Sequence, residues 1–453
     1  MLVRGVHAME NFVKIKTIAC LMVAGIALGG CPFNTKYSIS GTLVGLRGTG
    51  LVIENNGGDS QTLSADGTFE FSDGVVNTDA YAVTVSTQPT DPVQTCTVRN
   101  GSGTIDKAEV TNVIVVCTQA GTYAYVPNQG SNDISAYLID SSTGELTPVS
   151  GSPFAASGTT PAASLVDPNG TYLYVTNYGS ATVSSYGIDS TSGQLTSTGL
   201  GTAVGNEPDA IAMHPAGTYL FVANFEDSTV SVFSVGASAA LTAVTGSPFA
   251  VEGGPSSLQV DPLGNFLYVT NFTTNNVSVF SIDQTTGILT SISGSPFGVG
   301  SEPISITIDP TGAFAYVSNE SGADISEFSV NTSTGGLTAV SGSPLSTSST
   351  VYGLAVDPEG RFVYAANVTS ANAVSSYSIT PTSGALAVAS TLASGGTLPV
   401  SVTVDPAGTF VYSANQNSNS VSVLVVNTAT GALSAAPGSP FSTDSEPRSI
   451  AIY

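Results

Sequence analysis

Residues 264–311 read GNFLYVTNFTTNNVSVFSIDQTTGILTSISGSPFGVGSEPISITIDPT. Four apolar runs lie in this stretch, at 266–270, 277–282, 289–292 and 304–308. The last, Ile-Ser-Ile-Thr-Ile, alternates with period two, as a strand with one buried face does. Turn-forming Asn, Asp, Gly, Ser and Thr separate the runs, so the stretch reads as four short strands.

The unit recurs. Equivalent glycines stand at Gly121, Gly170, Gly217, Gly264, Gly312, Gly360 and Gly408, at intervals of 47 to 49 residues. The turn Asp261-Pro262-Leu263-Gly264 has counterparts ending at Gly170, Gly312, Gly360 and Gly408. Asp first, Pro second and Gly fourth is the pattern of a type I turn. A second hairpin recurs as Ser142-Thr143-Gly144, Thr285-Thr286-Gly287 and Ala429-Thr430-Gly431. Seven units of about 48 residues with four strands each predict an all-β, seven-bladed β-propeller over residues 121–453. The first unit begins at its second strand, and the final residues, Pro447 to Tyr453, match an innermost strand. The terminal segment is therefore expected to complete the first blade and close the propeller.

Residues 37–118 lack the repeat. Short β-rich runs separated by turn clusters such as Asn55-Asn56-Gly57-Gly58 predict a small β-sandwich. Ahead of it, Lys14 and Lys16 precede an apolar run at 17–28, too short to span a bilayer but suited to a signal peptide over residues 1–30. The run ends Leu28-Gly29-Gly30-Cys31, which resembles the bacterial lipobox. The resemblance implies a lipid on Cys31, a linker over 31–36, and attachment to the bacterial cell envelope, facing the periplasm or the exterior. An ordinary signal peptide with a chance cysteine is the alternative. Cys96 and Cys117 remain as a pair in an oxidising compartment and are expected to form a disulfide, with metal binding as the alternative.

The formal net charge is −23, from nine Lys and Arg against 32 Asp and Glu. After residue 120 the only cations besides His214 are Arg361 and Arg448. Such a surface cannot neutralise phosphates, which excludes nucleic acid as a partner.

Tyr174-Val175-Thr176-Asn177 and Tyr268-Val269-Thr270-Asn271, with the Asp-Pro-x-Gly turns and seven units, resemble the YVTN-type, lactonase-like propellers. That group includes the bacterial 6-phosphogluconolactonases of propeller type. The resemblance implies the fold and a lactone hydrolase, whose members use His, Arg and acidic residues at one channel mouth. No such cluster is matched here. His214 stands at a turn and Arg448 at the start of an innermost strand, roughly 20 Å apart at 3.3 Å per residue. The expectation is a non-enzymatic binding or scaffold module, with a hydrolase of an uncharged lactone as the alternative.

Residues that break the repeat are the candidate site. Glu207, Asp209, Glu302, Glu446 and Arg448 enter the innermost strands, and Asp133, Glu226, Asp227, Glu320 and Asp324 follow the repeat asparagines. Together they predict an acidic mouth with one arginine, able to attract a basic partner or a divalent cation such as calcium. The repeat Asn and turn Asp residues, present in nearly every unit, are expected to be structural, as is His214.

Overall fold

The computed structural model describes residues 35–46, 48–89, 94–119, 122–199, 201–369 and 372–453. The expected signal peptide over residues 1–30, Cys31 and Gly121 lie outside the described residues.

From Thr122 onward the chain forms seven antiparallel sheets, numbered here as blades 1 to 7. Blade 4 runs outward through Pro255–Val260, Phe266–Asn271, Asn276–Ile282 and Leu289–Ser291. A fifth, two-residue strand, Phe297–Gly298, returns to the third strand. It follows the Ser295-Pro296 bond, where the Ser295 hydroxyl accepts the Val279 N–H at 2.9 Å. Blades 2, 3, 5, 6 and 7 have their inner strands at Pro161–Val166, Pro208–Met213, Pro303–Ile308, Val351–Val356 and Pro399–Val404.

The turns behave as their sequences predict. Asp261 Oδ1 accepts the Phe266 N–H at 2.6 Å, and the Gly264 N–H returns to the Asp261 carbonyl at 2.9 Å. Gly264 has φ +77°, a conformation that favours glycine. The repeat asparagines are buried, and their amides reach backbone as well as side-chain groups: Asn224 Oδ1 accepts the Gly205 N–H at 3.1 Å, and Asn415 Nδ2 donates to the Ser420 carbonyl at 3.3 Å. All seven donate from Nδ2 to a serine hydroxyl on the third strand, as Asn271 does to Ser278 at 2.8 Å. The strand exit is thus tied side chain to side chain.

Apolar layers separate the blades. Phe221, Val230 and Val232 of blade 3 pack on Leu258, Leu267 and Val269 of blade 4. Ala124 and Tyr137 of blade 1 pack on Phe410 and Tyr412 of blade 7. Fully burying one such large side chain contributes about 1.5–3 kcal/mol. Tyr268 and Tyr316 also send their hydroxyls to the hairpin carbonyls of Gly335 and Gly384 in the following blades, at 3.1 and 2.9 Å.

The expected closure by a terminal strand is corrected by the structure. Among the described residues no sheet is closed on itself; each is an open ladder with two edges, and neighbouring blades meet through side chains. The terminal segment supplies only Ala451–Ile452, paired with Tyr125 and Ala124, where blades 2 to 7 have six-residue inner strands. A single bridge joins Pro447 to Asn128. Pro127 is part of the cause: it accepts the Arg448 N–H at 3.1 Å but has no N–H to return.

The unit before the propeller has two four-stranded sheets. One orders Gly67–Glu70, Ile39–Val44, Val110–Gln119 and Gln94–Arg99, the other Asp59–Leu63, Leu51–Asn55, Ala80–Thr87 and Ser102–Thr104. Both contribute to one core that includes Ile39, Leu43, Ile53, Phe69, Tyr81 and Val115. Cys96 and Cys117 sit opposite each other on adjacent strands and form a disulfide. Arg99 of this unit pairs with Glu359 at 3.1 Å and donates to the Ala407 carbonyl at 2.9 Å, both on the turn face of the propeller. Among the described residues, no helix is long and apolar enough to cross a membrane.

Candidate functional site

The inner strands share a local irregularity that creates the site. In blade 3, Pro208 pairs with Asn224 and Ala210 with Ala223, which leaves Asp209 as an extra residue. Blades 2, 4, 5, 6 and 7 shift register at the same place. A bulge takes a side chain out of the ladder and re-aims it, and bulges are common next to active sites. The bulged positions hold Ala162, Asp209, Ser256, Ile304, Tyr352 and Val400 in blades 2 to 7, with Arg448 at the matching place in the terminal segment. The scaffold repeats, yet this ring of residues does not.

Two of its members meet. Arg448 Nη2 lies 3.1 Å from Asp209 Oδ1, with the side chains 31% and 18% exposed. Their strands belong to blades 1 and 3, so the pair reaches past blade 2. Burial pushes the Asp209 carboxyl above the usual carboxylate range, against the opposing charge and hydrogen bond of Arg448, and Glu207 pushes it up further.

Two tyrosines flank the pair. The Tyr352 hydroxyl donates to Glu320 Oε1 at 2.8 Å. Burial, then the hydrogen bond and charge of Glu320, push its phenol up to about 12, while Arg448 acts in the opposite direction and Glu302 adds to the rise. Tyr178 is raised by burial and by Glu207 and Asp209, again with Arg448 opposing. Ser321 donates from its hydroxyl to Glu302 Oε2. Arg448, Asp209, Glu207, Glu302, Glu320, Tyr178 and Tyr352 are thus one electrostatically connected group.

The other expected site residues do not join it. Asp227 braces a loop, accepting the Asn206 backbone N–H at 2.8 Å and its amide at 3.0 Å. Asp324 accepts from Asn319 Nδ2 at 2.6 Å and Asp133 from Asn128 Nδ2 at 2.7 Å. Glu226 and Glu446 are exposed, and the Glu446 N–H is held by Asn419 Oδ1 at 2.9 Å. Glu207, Glu302 and Glu446 all have φ between +53° and +58°, which fixes how each enters its strand. Calcium finds no cage: among the described residues no group of three or more His, Cys, Asp or Glu could hold a metal ion.

His214 and Arg361 lie elsewhere. His214 Nδ1 accepts the Ala216 N–H at 3.1 Å, so Nε2 carries the proton and donates to Gln284 Oε1 at 3.0 Å. Arg361 is held by Asp357, Glu359 and the Thr428 carbonyl. Both are turn residues with structural work.

Tyr178 and Tyr352 were missed when the sequence was read for charge. Their signal was available: Tyr352 is the one aromatic among the seven bulge positions, and Tyr178 follows a repeat Asn where other units carry Gln129, Phe225, Phe272, Glu320, Val368 and Gln416.

No curated protein matches the chain in sequence. Among solved structures, a candidate 6-phosphogluconolactonase from Bacteroides uniformis is 20% identical, with TM-score 0.66, covering 74% of this chain and 100% of that one. The periplasmic gluconolactonase of Pseudomonas aeruginosa is 22% identical, with TM-score 0.64, covering 74% of this chain and 99% of that one. At this identity the likeness speaks for the fold. The profile of the family described as "Lactonase, 7-bladed beta-propeller" matches residues 76–207 and 201–443. This overturns the expectation of a non-enzyme, which rested on the shortage of His and Arg. That shortage bears on phosphate recognition and leaves the family match standing. Its sequence match and its seven blades make this chain a member of the lactonase family of seven-bladed β-propellers.

Proposed function

We propose that the chain hydrolyses a lactone bearing no phosphate, at the mouth built around Arg448 and Asp209. The observation that carries this reading is the Arg448–Asp209 contact at bulged positions of a lactonase-family propeller. Asp209 takes a proton from water as the water oxygen bonds to the lactone carbonyl carbon. Charge developing on the carbonyl oxygen is met by the Arg448 guanidinium. The ring C–O bond then breaks, and the proton passes from Asp209 to the departing alkoxide, giving a hydroxy acid. The acid loses its proton to solvent, and the resulting carboxylate is repelled by Glu207, Glu302 and Glu320, which favours its release. The same carboxylates oppose a phosphorylated substrate. The Tyr-Val-Thr-Asn runs support the YVTN-type subgroup, and the lipobox-like Leu28-Gly29-Gly30-Cys31 supports lipid attachment at the cell envelope.

A pH-stat assay of the purified chain on γ-butyrolactone, δ-gluconolactone and its 6-phosphate tests this. Turnover above the spontaneous rate is expected for the neutral lactones and little for the phosphate ester. Glu207→Ala should lower it by altering the field around Asp209, and Glu302→Ala by altering the field around Tyr352. A panel hydrolysed no faster than the buffer blank overturns the proposal.

A further inference from the structure

The rim above the bulge ring is apolar on one side. The position after each repeat Asn donates its N–H to the carbonyl of the residue just before the inner strand, as Phe225 does to Glu207 and Phe272 to Gly254, both at 2.9 Å. This pins these side chains to the mouth. In blades 2, 3 and 4 they are Tyr178, Phe225 and Phe272, all half-buried. The rings of Phe225 and Phe272 lie 6.0 Å apart at a tilt of 59°.

Next to these two phenylalanines the rim carries a glycine. The left-handed residue before the inner strand is Thr160, Glu207, Glu302, Leu398 or Glu446 in blades 2, 3, 5, 7 and 1, but in blade 4 it is Gly254, at φ +57°. A Cβ at Gly254 would come within 3.2 Å of the Phe225 ring and 3.1 Å of Thr273. Gly254 is itself buried, so a side chain there would press on the Phe225 ring, and glycine leaves that ring in its place.

We infer that the half-buried pair Phe225 and Phe272 forms a subsite for an apolar substituent on the lactone, such as an alkyl chain or aromatic ring. The inference rests on the lactonase reading and names its substrate class. Continuity with the charged group argues for a substrate part as the occupant. Phe225 is bonded through its backbone to Glu207, and Glu207 acts on both Tyr178 and Asp209. Rings at 6.0 Å offer edges and faces to C–H groups and repel an anion from their faces.

The test compares δ-decalactone with δ-gluconolactone in wild type, Phe225→Leu, Phe272→Leu and Gly254→Glu. Leucine keeps apolar volume, and glutamate occupies this left-handed position in three other blades, so each variant has a reason to fold. The KM for δ-decalactone should rise about tenfold in each, with δ-gluconolactone unchanged. In parallel, calorimetry follows binding of 2-pentyltetrahydropyran, a cyclic ether that cannot be hydrolysed. Turnover of both lactones with an unaltered ratio in the variants overturns the subsite and leaves hydrolysis standing. Absence of turnover with ether binding that the variants weaken supports the subsite and sinks hydrolysis. Absence of both overturns the two together.

Discussion

Replacing Arg448 by Met would remove the single cation of the mouth while keeping most of the side-chain volume. Asp209 is then left half-buried beside Glu207, without its 3.1 Å partner. A hydrogen bond to a charged group contributes about 1.5–3 kcal/mol, and exposures of 31% and 18% place this one toward the lower end, about 1–2 kcal/mol. For a propeller of this size that lowers Tm by roughly 1–3 °C at pH 7. The pH dependence has a definite sign. The Asp209 carboxyl is already raised in the folded state, and loss of Arg448 raises it further. A raised acid favours the folded state while protonated, below its unfolded pKa, and that contribution is lost as pH rises through the folded pKa. The deficit of the variant should therefore shrink between pH 7 and about pH 4. Thermal melts across this range, with Asp209→Asn and the double variant completing a cycle, measure the coupling. Purely additive effects within about 0.3 kcal/mol, or a deficit independent of pH, would refute the pairing.

Three further outcomes are expected. Cys96→Ala with Cys117→Ala should destabilise the first unit by about 3 kcal/mol, from the loop formula for a separation of 21 residues, seen as an earlier first transition with the propeller melt unmoved. Glu327 is 3% exposed with its carboxyl raised by burial, and one oxygen accepts the Leu386 N–H at 2.8 Å; Glu327→Gln should therefore raise Tm by roughly 2 °C at pH 7, an advantage that fades toward pH 4 where the glutamic acid is itself neutral. Gly170→Ala should cost more than Gly217→Ala, because both have positive φ but a Cβ at Gly170 runs into the Tyr453 ring whereas one at Gly217 meets only Pro168 at 3.7 Å; equal melting temperatures would mean that the terminal tyrosine adds nothing to blade 2.

The scaffold was readable in the sequence because local chemistry fixes it. Asp261 and Gly264 announce their turn, and the period-two run at 304–308 announces its buried face. The disulfide followed from arithmetic on four cysteines. What stayed hidden depends on register and on the angle between blades. The bulge at Asp209 adds a residue that no propensity marks, and it is what turns this carboxylate toward Arg448. The ten charged residues near the mouth looked alike as a sequence, yet Asp227, Asp324 and Asp133 are absorbed by neighbouring amides while Glu207, Glu302 and Glu320 face the pair. The repeat asparagines were correctly read as structural, but their serine partners lie seven or eight residues away on the next strand, a distance that only pairing reveals. The terminal segment misled because Pro447 copies the start of an inner strand, while the partner that would extend the ladder is Pro127.

The most direct test is a pH-stat comparison of the full chain with Asp209→Asn on a neutral lactone, recorded from pH 5 to 8. The account predicts hydrolysis above the spontaneous rate, an acid limb above the ordinary aspartate range, and a loss of about 10²–10⁴-fold in the variant. A wild-type rate equal to the blank, or a variant as active as wild type, would contradict it.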